Sequence, residues 1–186
     1  MKVVAKVGIT LLIIAGFAAA ALAVVNAITA PKIAEYEIQV LKNALLEVSG
    51  DLEVGTTIES VDLNNVKAVH TLLNEQDQVS GYILQLQGVG YGGPMTLMAG
   101  YLLNGEVIDV RLLSNSETPG LGKKAETVAY MQKFVGTGGA NKEVPVKANM
   151  LDKKDADDIS GSTVTFSGVA KAIALGSDYV KSLGVN

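Results

Sequence analysis

Cysteine is absent from the 186 residues, and histidine occurs once. Without thiols there is no disulfide, no thiolate-held iron–sulfur cluster and no cysteine-attached haem. One histidine does not make a His-rich metal site. That residue, His70, lies in Val66-Lys67-Ala68-Val69-His70-Thr71-Leu72, which reads as a strand, and its expected role is structural. Any redox chemistry here must reside on an organic cofactor. Concentrated positive charge is missing too: the net charge is −4 and no Lys/Arg cluster occurs. That argues against a nucleic-acid partner.

Charge of either sign is missing between Lys6 and Lys32, a run of about 25 residues and long enough to span a bilayer. Leu11, Leu12, Ile13, Ile14, Phe17, Leu22, Val24 and Val25 supply its apolar surface. A cleavable signal peptide is the competing reading, since Ala21-Leu22-Ala23 has the small residues of a cleavage site. The apolar stretch runs past that point through Val25 and Ile28, which favours an anchor in membrane lipid. Lys2 and Lys6 precede the span, so the N-terminus is expected in the cytoplasm and the rest outside it, although Lys32 and Lys42 follow. No acid or base lies within the span to carry an ion. Met95 to Leu103 is apolar but short, and runs into the hairpin signal Asn104-Gly105.

The length suffices for one anchor and one domain with a proper core. The expected division is a cytoplasmic end at 1–6, an anchor at 7–30, a juxtamembrane helix at 31–50 and an extracytoplasmic domain at 51–186. Ile33, Val40, Leu41, Ala44, Leu45 and Val48 form the stripe of that second helix. Pro31 is expected to kink its start and Gly50 to end it. Strand patterns follow at Val66–Leu73, Gly81–Gln87, Met95–Leu103 and Val107–Leu113, separated by Asn74-Glu75-Gln76-Asp77, a glycine-rich stretch and Asn104-Gly105. They predict an antiparallel sheet. Lys123–Val135 reads as a helix, as does Val164–Leu183. The class expected is α+β, with an antiparallel sheet and flanking helices behind a single N-terminal transmembrane helix.

Two segments carry candidate chemistry. Ser160-Gly161-Ser162-Thr163 follows Asp157 and precedes the last helical pattern. Small residues there leave backbone N–H groups open. Thr163 at a helix N-terminus suits a phosphate; alternatively Ser160, Ser162 or Thr163 simply caps the helix. Thr118-Pro119-Gly120-Leu121 has Pro and Gly where a type II turn wants them. Leu121 then either lies exposed, ready to cover a flat ring, or folds into the core. Gly88-Val89-Gly90 with later glycines echoes a dinucleotide fingerprint, but Pro94 leads into another strand, so a Rossmann site is rejected.

Asp157-Asp158-Ile159-Ser160-Gly161-Ser162-Thr163 resembles the flavinylation motif of the FMN-binding domain family: Asp, two variable residues, then Ser-Gly-Ala-Thr. Ser162 stands where Ala is usual and is nearly isosteric with it. The resemblance implies covalent FMN on Thr163 through a phosphoester, installed by a flavin transferase that recognises Asp157 with Ser160, Gly161 and Ser162. Glu117-Thr118-Pro119-Gly120-Leu121-Gly122 resembles a loop of the Rnf-complex G subunits and of the C subunits of the sodium-pumping NADH:quinone oxidoreductases. It implies Glu117, Thr118, Gly120 and Leu121 beside the flavin, with Tyr91 on one wall. The chain's shortness favours the Rnf family, whose complexes pass electrons between ferredoxin and NAD+ while moving Na+ or H+. Other membrane subunits of such a complex are the implied partners, and this chain would be an electron relay within it. A pilin-like structural protein is the alternative from another class, but it wants an acidic residue early in the apolar helix. A solute-binding lipoprotein would need a cysteine.

Overall fold

The computed structural model describes residues 2–63 and 65–183, with the side chains of 3–57 and 65–183. Met1, the side chain of Lys2 and residues 184–186, which the expected boundaries include, lie outside what is described. The chain divides into two compact units, one through Leu41 and the other from Lys42 onward.

The first unit is helix. α1 (Lys2–Val48) runs 47 residues without interruption, with Pro31 inside it. It is long and apolar enough to cross a membrane. Thr10 and Thr29 do not spoil the apolar surface, because each hydroxyl donates back to a carbonyl one turn earlier, Lys6 at 2.9 Å and Val25 at 2.8 Å.

The second unit is a five-stranded antiparallel meander: β1 (Glu53–Leu63), β2 (Val66–Leu73), β3 (Val79–Val89), β4 (Pro94–Leu102) and β5 (Val107–Ser114), in that spatial order. Its turns follow local chemistry. Asn74 Oδ1 accepts from the N–H groups of Gln76 and Gln78, both at 3.0 Å. Gly105 takes φ +81°, and Asn104 Oδ1 accepts from the Glu106 N–H at 2.9 Å. β1 was not expected; its sequence, Glu-Val-Gly-Thr-Thr-Ile-Glu-Ser-Val-Asp-Leu, lacks the apolar run of the other strands, and it lies at one edge of the sheet.

α4 (Thr163–Leu183) covers one face of the sheet. Phe166, Val169, Ile173 and Val180 join Leu84, Leu86, Leu97, Ala99 and Tyr101 in the main core. Each such large side chain contributes about 1.5–3 kcal/mol on burial. Tyr101 donates to the Ile173 carbonyl at 3.0 Å, and a Cβ at Gly176 would collide with that hydroxyl. The end of α1 lies on the opposite face: Ala44 and Val48 are buried, and a Cβ at Gly100 would strike the Val48 carbonyl. Arg111 Nε meets Glu47 at 2.6 Å and its Nη1 meets Asp109 at 2.7 Å, tying that end to β5.

The helix expected over Lys123–Val135 is not one helix. A 3-10 turn at Gly122–Glu126 is followed by a single turn, α2 (Val128–Met131). Thr127 breaks the run: its backbone is extended (φ −86°, ψ 143°) and its hydroxyl donates to the Lys124 carbonyl at 2.7 Å, competing with the helix ladder. The short α3 (Lys153–Asp158) was not expected either. It has no buried residue, and Asp152 Oδ1 caps it by accepting from the Asp155 N–H at 2.8 Å.

Candidate functional site

Two glycine-bearing loops and the start of α4 close on one carboxylate. Glu117 follows β5 and is only 4% exposed. Its Oε1 accepts from the Gly92 N–H at 2.9 Å, and Oε2 accepts from the Thr165 hydroxyl at 2.7 Å. Its own N–H donates to Asn115 Oδ1 at 2.9 Å. This enclosure explains the glycines: a Cβ on Gly90 or Gly122 would overlap the carboxylate, and one on Gly92 would overlap the Ser116 carbonyl.

Beside Glu117 opens a cleft of about 420 Å3. Tyr91, Thr118, Leu121 and Gly122 line it from one part of the chain, and Gly161, Ser162, Thr163, Val164 and Thr165 from another. Three of the expected residues stand apart from its lining. Gly120 is in the turn behind Leu121, Ser160 is exposed, and Asp157 is exposed on α3, its carbonyl accepting from the Ser160 N–H at 3.1 Å.

The Thr118–Leu121 turn is closed by the Leu121 N–H donating to the Thr118 carbonyl at 3.2 Å. Gly120 has φ +77°, as the third residue of a type II turn requires. Leu121 is 47% exposed, so it is not a core residue. A Cβ on Gly161 would lie 3.3 Å from Leu121 Cδ2, so the two motifs meet there. Tyr91 and Val164 are also exposed, completing an apolar rim.

Capping does not account for the hydroxyls. Ser162 Oγ donates backward to the Ile159 carbonyl at 3.1 Å, as does the Ser162 N–H at 2.9 Å. The Phe166 N–H donates to the Ser162 carbonyl at 2.9 Å and starts the helix. Among the described residues, the Ser160 and Thr163 hydroxyls make no hydrogen bond. The first N–H groups of α4 are therefore left without a side-chain cap beside an exposed Thr163, and the helix dipole there favours an anion.

A charged clamp holds the loop from below. Lys133 Nζ, with its side chain 5% exposed, meets Asp158 Oδ2 at 2.8 Å and Asp155 Oδ1 at 3.4 Å, and lies 5.6 Å from the Tyr130 ring centroid. Lys124 Nζ donates to the Asp158 carbonyl at 3.2 Å. Lys133 above all holds the Asp158 carboxyl below its ordinary value. Burial pushes the Tyr130 hydroxyl up, with the Ser162 hydroxyl opposing it.

Residues 90–176 match the FMN-binding domain, and residues 1–48 match the RnfG N-terminal region. Curated relatives agree along nearly the whole length. The G subunit of the Na(+)-translocating ferredoxin:NAD(+) oxidoreductase complex of Acetobacterium woodii is 26% identical, covering 98% of this chain and 94% of its own. The G subunits of the ion-translocating oxidoreductase complexes of Methanosarcina acetivorans and Vibrio cholerae are 29% and 27% identical, each covering 97% of this chain and 96% and 91% of their own. By these matches the chain is similar to the Rnf-complex G subunits along nearly its whole length. The match at residues 1–48 favours that family over the quinone-reductase C subunits, and the FMN-binding match leaves a pilin-like reading without support.

The site fits the phosphate and the flat ring of FMN. Uncapped helix N–H groups and the left-handed Gly161 (φ +82°) suit a phosphate, and the Leu121–Tyr91–Val164 rim suits an apolar ring. Sequence reasoning missed Thr165, Tyr130, Lys124 and Lys133. Lys133 had a signal: it is a charge set between Tyr130 and Phe134, both buried.

Proposed function

We propose that this chain is the FMN-carrying subunit of an Rnf-type ion-translocating ferredoxin:NAD+ oxidoreductase, with FMN joined to Thr163 by a phosphoester. The observation that carries this reading is the pairing, on one cleft, of an exposed Thr163 at an uncapped helix start with the Thr118–Leu121 turn. The N–H groups opening α4 would hold the phosphate. Leu121 and Tyr91 would cover the ring and limit its contact with water. Thr118 and Gly120 shape the turn, and Glu117 fixes the Gly92 loop against Thr165. FMN supplies reversible electron uptake when bound. The protein keeps the cofactor from dissociating and sets how exposed it is. Exposed Asp157 and Ser160 are the handle for a flavin transferase, and other Rnf subunits in the membrane are the partners. Lys2 and Lys6 place the N-terminus in the cytoplasm, residues 7–30 in lipid, 31–50 next to the membrane and 51–186 outside.

The test is peptide mass spectrometry on chain co-expressed with a working flavin transferase. An FMN-sized adduct is expected on the Thr163 fragment and should vanish in Thr163→Val with the fold retained. An unmodified Thr163 would sink the reading.

A further inference from the structure

A second and larger groove also begins at Thr163. It holds about 510 Å3 and shares Thr163 and Val164 with the first cleft. We infer that this groove is a second seat for the ring tethered at Thr163, favoured when the ring is reduced. The inference rests on the reading that FMN is attached there.

The groove follows α4. Thr163, Ser167, Lys171 and Leu175 recur every four residues, so they form one stripe about 18 Å long. Across from the stripe lie Asn65, Gln87 and Val89. Its floor is backbone: a Cβ on Gly168 would overlap the Val89 carbonyl, and one on Gly88 would lie 3.0 Å from the Gly168 carbonyl. Two glycines thus let helix and strand nearly touch, leaving a shallow slot that a flat group can enter. The volume is in the range of small-ligand sites, roughly 300–1,000 Å3.

Polar chemistry separates the two seats. The first holds Glu117, a carboxylate whose oxygens are already engaged by Gly92 and Thr165. The second holds Lys171, with Asn65, Gln87 and Ser167 around it. Among the described residues, none of these four side chains has a hydrogen bond or ion pair. They offer donors and acceptors to the polar pyrimidine edge of a flavin.

Reduction changes the charge of that edge. The ring takes two electrons, from the ferredoxin side of the complex, and one proton at N5, so one negative charge remains over N1 and O2. In the first seat that charge faces a carboxylate; in the second it faces an ammonium. Because Lys171 is exposed, its attraction is worth a factor of about five or less, with repulsion from Glu117 adding a factor of similar size. The balance therefore moves by about tenfold on reduction, enough to change which seat dominates.

A chain free of native thiols makes the test direct. Single cysteines at Ser167→Cys and Thr118→Cys report the two seats by maleimide labelling of the full-length flavinylated protein in detergent, oxidised and photoreduced under anaerobic conditions. Reduction should slow labelling at 167 about three- to tenfold and speed it at 118. Adding Lys171→Met should shrink the redox difference to the share left by Glu117, while the adduct mass on Thr163 stays. Equal rates in both redox states, with the adduct present, would overturn the second seat alone. An absent adduct would overturn the attachment to Thr163 as well, and the mass spectrum tells the two failures apart.

Discussion

Glu117 brings together three otherwise separate pieces of chain, since its two oxygens hold the Gly92 N–H and the Thr165 hydroxyl while its backbone is held by Asn115. Glu117→Gln keeps the shape: its Oε1 still accepts from the Gly92 N–H and its amide donates to the Thr165 hydroxyl, which turns from donor to acceptor, but two charge-assisted hydrogen bonds become neutral ones. The difference is about 1 kcal/mol, and a thermal melt should show a loss of that order. A second effect follows from charge. Removing a negative group beside the ring makes electron uptake easier, so the flavin midpoint potential should rise in a redox titration of the full-length protein. Destabilisation with an unmoved potential would make Glu117 a purely structural residue.

At the scale of elements, α3 matters through what holds it. No residue of α3 is buried, and the buried Lys133 ammonium grips its Asp155 and Asp158 while Ile159 plugs the core behind it. Lys133→Met should free the Asp157–Ser162 segment. Stability is expected to fall by about 1–3 kcal/mol, discounted because both carboxylates are partly exposed. The fraction of Thr163 modified by the transferase should fall further than stability predicts, and Lys133→Arg should recover it. Intact-mass spectra alongside melts decide this; loading that simply follows stability would remove the positioning role. The pH dependence has a definite sign. Asp158 has a lowered pKa when folded, so its contribution is present above the ordinary aspartate range, about pH 4, and is lost as pH falls through the lowered value. Segment mobility measured by hydrogen exchange should therefore be flat at neutral pH and rise only in acid.

For the whole molecule, the proposed orientation puts everything after the anchor outside the cytoplasm. Asn141 is exposed and lies in a loop between α2 and α3, so Asn141→Cys gives a single reporter on a thiol-free chain. A membrane-impermeant reagent should label it on intact cells at the rate seen after lysis. Protection until lysis would reverse the topology. The meander itself is a simple topology: consecutive strands pair as neighbours, β1 through β5, and one helix covers the face that holds the main core.

Local chemistry determined much of this without help from the fold. The uncharged run between Lys6 and Lys32, the turns at Asn74 and Gly105, the central strands and α4 each declare themselves within a few residues, because periodicity and turn preference act over that distance. Within the site, the same holds for the Pro119-Gly120 turn and for Thr163 at a helix start. Elsewhere the neighbours decided. Edge strand β1 has no apolar run and is a strand through its pairing with β2. The Lys123–Val135 stripe had helical spacing, yet Tyr130, Met131 and Phe134 reach the core from a broken path, since Thr127 and the close packing of Gly122 on Glu117 prevail over propensity. That Gly90, Gly92 and Gly122 surround one carboxylate, or that Lys133 holds Asp158, 25 residues later, could be settled only in three dimensions. Contacts between distant segments depend on how the sheet and α4 stack, and no window of local sequence carries that information.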